Sequence, residues 1–437
     1  MFANSTVVNE QIKKCVRCGQ CRSACPIFRE YQTENFAPRG QVFLVQMIRD
    51  GLLEANDKVN QKLGDCLLCE ACTKNCPSAI PVHELVAEAR SYLALKHPST
   101  ARKIIFESIW ADPKKLATLM GSMRLADRLK LRSFARITGL TKVLPGDLSR
   151  AEQIMNNIPS QPAHALLPRV SPARGKRKLR VAYFLGCGTD YLHPNVAVAT
   201  VKVLNHLGIE VIIPEGIRCC GMPHVANGML PVTAWLAMEN ALQLKEADVD
   251  FVISDCASCT SALNSPYYQV GGWQEIAEQN DLIKNAQPER VMKAMEWLRG
   301  KAIDVHPLLT DVLSLDSLPA KLSKNTRVTY HDPCHLAKAQ KIKQQPRTVL
   351  QLIDGLDFVE LPDPDACCGG SGTFALSHYD LSMKILDRKV EAIIATESEL
   401  VATACPSCST QIAYGLRNLE KPIRVVHPFE LIAPVIN

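Results

Sequence analysis

Eighteen cysteines fall into four dense sets, and none is left over. Cys15, Cys18, Cys21 and Cys25 precede Pro26, and Cys66, Cys69, Cys72 and Cys76 precede Pro77, so each run reads C-x2-C-x2-C-x3-C-P. Three thiolates two residues apart can wrap one face of a cubane [4Fe–4S] cluster, while the fourth leaves in another direction. The proline fixes φ and removes a backbone donor, which turns the chain away. Where two such runs occur, the fourth cysteine of each serves the other cluster. The expected ligand sets are therefore Cys15, Cys18, Cys21 with Cys76, and Cys66, Cys69, Cys72 with Cys25. Zinc is a weaker reading, because its sites need two C-x2-C pairs, or Cys with His, and no third Cys at the same spacing. A disulfide framework belongs to small secreted chains.

The other ten cysteines form a duplicated constellation. Cys187, Cys219, Cys220, Cys256 and Cys259 are spaced by 32, 1, 36 and 3 residues; Cys334, Cys367, Cys368, Cys405 and Cys408 by 33, 1, 37 and 3. Gly221 and Gly369 follow the vicinal pairs, and glycine permits conformations or close approaches closed to larger residues. A vicinal pair does not readily place both sulfurs on one iron, but it can serve neighbouring irons. Such a set could hold iron, with zinc or buried thiols as the alternative. His306 with Pro307, and His427 with Pro428, close the two copies before short apolar helices. His193, His224, His331 and His335 lie near these cysteines and are expected to be hydrogen-bonded structural residues.

The elements that must hold these sulfurs follow from periodicity. A helix is expected over residues 41–53 and another after Pro81, within an N-terminal module spanning 1–98. Arg39, between Pro38 and Gly40, is expected in local packing or a salt bridge rather than beside a cluster. Residues 99–178 read as a helical connector that ends in a proline-rich linker. Its Lys114, Lys115, Arg124, Arg128, Lys130, Arg132 and Arg136 suggest a solvated face on a helix packed over the core; a membrane-surface or partner-docking helix is the alternative. From 179 onward strands and helices alternate twice, in copies spanning 179–320 and 321–437. That alternation argues a mostly parallel sheet with helices on both faces. Cys187 and Cys256 then follow strand ends, where ligand sites of open sheets lie, and one crevice per copy is expected. Cys259 and Cys408 are expected to open helices whose N-termini lower thiol pKa values. The fold class is a multidomain α+β and α/β protein: a helical di-cluster module, then two duplicated α/β domains.

Composition sets outer bounds. The chain has 437 residues, 47% hydrophobic and 22% charged, as expected of a soluble protein of two or three domains. The formal charge of +6 falls to roughly +2 once two cubanes with their thiolates are counted, which leaves little basis for nucleic-acid binding. No apolar run is long enough to span a membrane, and the first 14 residues lack the apolar core of a signal peptide. So many unpaired thiols suit a reducing compartment, hence an expected cytoplasmic location, at the inner face of a membrane if the basic connector docks there.

The two N-terminal runs are those of bacterial ferredoxins, and the C…CCG…C-x2-C pattern resembles the CCG domain of the heterodisulfide reductase family, which implies a non-cubane [4Fe–4S] cluster in one or both copies. The whole arrangement resembles the glycolate oxidase iron–sulfur subunit family. It is also similar to the C subunit of anaerobic glycerol-3-phosphate dehydrogenase and the D subunit of heterodisulfide reductase. The stretch from Pro38 through Leu44, and that from Cys367 through Phe374, favour the glycolate oxidase group. No G-x-G-x-x-G after a strand and no P-loop occurs, so flavin and nucleotide motifs are missing. The resemblance implies a partner FAD-binding subunit that oxidises glycolate or lactate and feeds electrons to this chain, with quinone or another acceptor beyond. Two alternatives are kept: disulfide reduction at a non-cubane cluster, and a non-catalytic redox scaffold or sensor.

Overall fold

The computed structural model describes residues 6–139, 146–155, 158–265 and 287–436. The N-terminal module is helical. Pro38 sits at the first position of helix Pro38–Arg49, where its missing N–H costs nothing. Asn56 caps helix Asp57–Gly64 by accepting from Val59 N at 3.1 Å. These helices and Val82–Lys96 bury Val45, Leu63, Leu85, Val86 and Leu93 in one core, around which the cysteine loops run.

The connector is helical over Thr100–Arg102, Lys103–Trp110, Pro113–Arg128, Leu131–Ile137 and Gly146–Ile154. Its outer face departs from expectation. Only Met120 of Pro113–Arg128 is buried, whereas Leu125, Leu129, Phe134 and Ile137 are 56%, 59%, 63% and 86% exposed. Two of the basic residues turn inward instead. Arg132 is buried between Asp127 and Glu152 at 2.7 and 2.6 Å, and Arg124 donates to Pro159 O at 3.0 Å. The linker is also less open than its prolines suggest. It forms helix Ala163–Leu166 and strand β1 (Val170–Ser171).

The first sheet holds β1, β2 (Leu179–Tyr183), β3 (Ile209–Ile212), β4 (Phe251–Ser254) and β5 (Ala302–Asp304) in the order β1-β3-β2-β4-β5, parallel except for β1. The second holds β6 (Lys321–Tyr330), β7 (Asp354–Phe358), β8 (Leu400–Ala402) and β9 (Arg424–Val426) in the order β7-β6-β8-β9, all parallel. Without β1 the two orders are the same. β7 ends at Phe358, and Leu361 just beyond it packs into a core of the second half.

The halves are not stacked end to end. One core contains Val181, Tyr183, Val201 and Leu204 together with Val328, Tyr330, Phe429 and Ile432. The closing helix of each half packs on the other half. Helix Pro428–Ile432 lies on helix Pro194–His206, and segment Leu308–Val312 on helix Gln344–Gln351. Lys202 Nζ donates to Ala433 O at 2.5 Å and Gln345 Nε2 to Asp311 Oδ2 at 3.1 Å. His306 and His427 meet at this join with ring centroids 5.6 Å apart.

Candidate metal centres

In each half the order of strands reverses beside the central pair, β2 with β4 and β6 with β8, and crevices for ligands open at that reversal. Cys187 begins the helix after β2, and Cys256 caps the helix after β4. Cys334 and Cys405 repeat these placements after β6 and β8. Gly221 and Gly369 both adopt left-handed φ, +87° and +83°. A Cβ on Gly369 would meet Ser382 O at 2.6 Å, and one on Gly186 would meet Cys259 Sγ at 2.6 Å. Glycine at these positions lets backbone and sulfur crowd together.

The expectation of one crevice per copy does not hold. Both sets open into one cavity of about 310 Å3, lined by Cys187, Cys220, Cys256 and Cys259 from one side and Cys334, Cys367, Cys368, Cys405 and Cys408 from the other. A backbone bond from Ala257 N to Ala404 O, 2.9 Å, draws the two strand ends together. Side-chain contacts then run unbroken from Cys187 through Cys219, Cys220, Cys259 and Cys256, across the join to Cys405, and on through Cys408 and Cys368 to Cys367. Cys334 lies within electrostatic reach of Cys368 and Cys405.

The N-terminal sulfurs form two groups. Burial pushes the Cys25 thiol up to about 12, reinforced by Cys69 and Cys66. Cys72 is raised by burial, then by Cys66, Cys69 and Cys25. Cys21 is raised by burial and by Cys15 and Cys76. Cys18 is exposed, and the Arg39 guanidinium senses it together with Cys21. Arg39 therefore plays both roles considered for it. It pairs with Glu34 and donates to Arg17 O at 2.8 Å while standing beside sulfur. Cys72 also senses Cys21, which links the two groups. Cys69 reaches further and raises Cys334 and Cys367, so the module's second group abuts the second α/β set.

The thiol chemistry tests whether iron fits. All eighteen cysteines are free. Contacts with Cys220 and Cys256, then burial, raise Cys259 well above the usual thiol range; contacts with Cys368 and Cys405, then burial, do the same to Cys408. The expected lowering at a helix N-terminus is thus overridden by neighbouring sulfur. Buried sulfurs this close cannot all ionise unless positive charge sits among them. An iron–sulfur core supplies that charge, and the sulfur-rich donor sets suit it.

Charge around the sulfurs is uneven. Lys338 Nζ donates to Asp365 O at 2.6 Å. Burial opposes its charge, yet Cys69, Cys334, Asp365 and Cys367 hold its pKa above the usual lysine value. Arg90, buried, donates to Leu63 O, Cys66 O and Ala226 O, and so ties the cysteine loop to the first half. Three of the four histidines read as structural have hydrogen bonds: His193 with Thr410 at 3.0 Å, His224 with Phe106 O at 2.8 Å and His335 with Ser258 at 2.9 Å. His331 has none to nitrogen or oxygen. Proximity to sulfur in sequence was the only available signal, and all four histidines share it. No helix among the described residues is long and apolar enough to cross a membrane.

Comparison with known proteins agrees with this anatomy. Residues 11–80 match the 4Fe-4S dicluster domain, 97–155 the linker region of the glycolate oxidase iron-sulfur subunit, and both 181–264 and 328–413 the cysteine-rich domain. The chain is 31% identical to a probable glycolate oxidase iron-sulfur subunit of Bacillus subtilis, over 97% of this chain and 93% of that one. It is 28% identical to the glycolate oxidase iron-sulfur subunit of Escherichia coli, over 92% and 90%. Lactate utilization protein A of Bacillus pumilus is 32% identical over 59% of this chain and 99% of its own. The chain therefore belongs to the glycolate oxidase iron–sulfur subunit family, with a dicluster module followed by two cysteine-rich α/β domains.

Proposed function

We propose that this chain is the electron-carrying subunit of a flavin-dependent 2-hydroxy-acid dehydrogenase complex, with glycolate or lactate as the donor oxidised on a partner FAD subunit. Iron–sulfur clusters, when bound, supply one-electron transfer. Cys15, Cys18, Cys21 and Cys76 would hold one cubane, and Cys66, Cys69, Cys72 and Cys25 the other. Cys187, Cys219, Cys220, Cys256 and Cys259, and Cys334, Cys367, Cys368, Cys405 and Cys408, would hold one or two non-cubane clusters. The observation that carries this reading is the succession of sulfur groups, Cys21 to Cys72, Cys69 to Cys334, and Cys405 to Cys256, with no group isolated from the next. Boundaries near 98, 178 and 320 follow the same division of labour.

Anaerobically purified chain should contain at least eight irons and show reduced-cluster paramagnetic signals. Fewer than about four would end the cubane assignment. A flavoprotein should co-purify, and the pair should reduce a dye with glycolate or lactate; a chain that neither binds a flavoprotein nor accepts electrons from one would refute the donor side. A second reading, reduction of a small disulfide, is favoured by the cavity of about 310 Å3 into which both sets open. Turnover of a disulfide by the isolated chain would select it over transfer to quinone.

A further inference from the structure

We propose that His331 is a metal ligand of the second cysteine-rich set, binding iron through an imidazole nitrogen beside Cys368 and Cys408. This rests on the reading that the set holds iron. His331 follows β6 and is 1% exposed, and its backbone N donates to Ala402 O at 2.9 Å, which fixes where the ring starts. Neither ring nitrogen has a nitrogen or oxygen partner, and the side chain it touches is the Cys368 thiol. A buried imidazole whose nitrogens lack such partners is costly, so something other than protein nitrogen or oxygen must satisfy it. A ring nitrogen and the sulfurs of Cys368 and Cys408 all lie within 4.8 Å of one another, so a single metal ion could touch all three. The ring also borders the shared cavity.

The first half supplies an internal control. Phe184 follows β2, is fully buried, and donates its backbone N to Ile253 O at 2.8 Å, the same bond that His331 makes to Ala402. Tyr183 and Tyr330 precede the two residues at matching registers. Fold and backbone therefore ask only for an aromatic ring here. The second half alone provides one with donor atoms. We take the imidazole to stand on iron in place of one of the set's five thiolates, a substitution that raises the potential of an iron–sulfur centre. The second set is then the easier of the two to reduce, and it is the one that abuts Cys69.

The test uses the full-length chain, made anaerobically with 15N-labelled or unlabelled histidine, and pulsed electron paramagnetic resonance with redox titration. A nitrogen coupling of the size of a direct iron–nitrogen bond should appear, change with the isotope, and vanish in His331→Phe, which copies Phe184. In His331→Cys, where a thiolate takes the imidazole's place, one centre should shift to lower potential. His331→Cys, which restores a donor, should keep the iron content of the unaltered chain without the nitrogen coupling. Iron in the cysteine-rich sets with no histidine coupling, or a coupling unchanged in His331→Phe, would overturn the assignment of His331 alone. Iron confined to the dicluster module would instead overturn the reading on which it rests.

Discussion

At the turn after the central strand the first half carries Phe184 and the second His331; just before the capping cysteine stand Asp255 and Ala404. Asp255 is buried, and Tyr183, Thr189 and Thr200 all donate to it. Burial raises its carboxyl to about 6. In the second half cations stand near sulfur, Lys338 held charged by it and Lys389 with its charge opposed by burial. Duplication has thus preserved strand order, cysteine spacing and the left-handed glycine while the charge about the sulfurs has diverged. An acid and a phenyl ring favour a centre that is hard to reduce, a cation and an imidazole the opposite. On the proposed reading the second set, beside Cys69, is the point of entry and the first lies beyond it.

The sharpest way to break that ordering is Cys69→Ser. It should abolish reduction of both cysteine-rich sets by a donor acting on the module, as followed by stopped-flow absorbance. If the first set still fills at the unaltered rate, electrons do not enter through the second. Next comes Arg90→Met, which leaves the carbonyls of Leu63, Cys66 and Ala226 without their donor. A loss of about 3 kcal/mol in urea unfolding is expected, with the module loosened from the first half. Its ties to the second half, Ser371 to Leu67 O at 2.8 Å and Lys74 to Asp365, remain. Protection from hydrogen exchange should fall around 224–228 and persist around 371.

Glu84 lies near Ser261 of the first half and His335 of the second. Burial, and then Glu88, raises its carboxyl to about 7. A carboxyl with a raised folded value favours the folded state when protonated, and that stability is lost as pH climbs from its unfolded value toward 7. Glu84→Gln should therefore match the unaltered chain near pH 4 and exceed it by about 2 kcal/mol at pH 8, as read by denaturant midpoints. Equal pH profiles would place the carboxyl in water. The smallest effect is expected from Lys338→Met, which should lower potential on the order of 50 mV, and only for the centres nearest Cys69 and Cys334. A shift shared equally by the first set would erase the asymmetry.

Much of the site was legible because cysteine spacing is a local constraint. The positions of Cys187, Cys256, Cys334 and Cys405 after strands follow from apolar runs ending in a cysteine. Their convergence was not legible, since it depends on Ala257 meeting Ala404, 147 residues away. Hydrophobic periodicity says which face of a helix is buried but not which half buries it, so the crossed packing of Pro428–Ile432 and Leu308–Val312 left no trace. The connector misled for a related reason. Arg132 reads as solvated until Asp127 and Glu152 are seen to neutralise it. The solitary ring of His331 is defined by what does not surround it, and no residue spacing encodes that.

The crossed closing helices carry a consequence for cutting the chain. A nick or gene split near residue 320 would leave each fragment with an apolar groove whose filler is on the other fragment. Neither piece should persist by itself, whereas the two expressed together should find each other and restore the whole. Such a protein behaves less like beads on a string than like clasped hands, and fission in its lineage would demand simultaneous production of both parts.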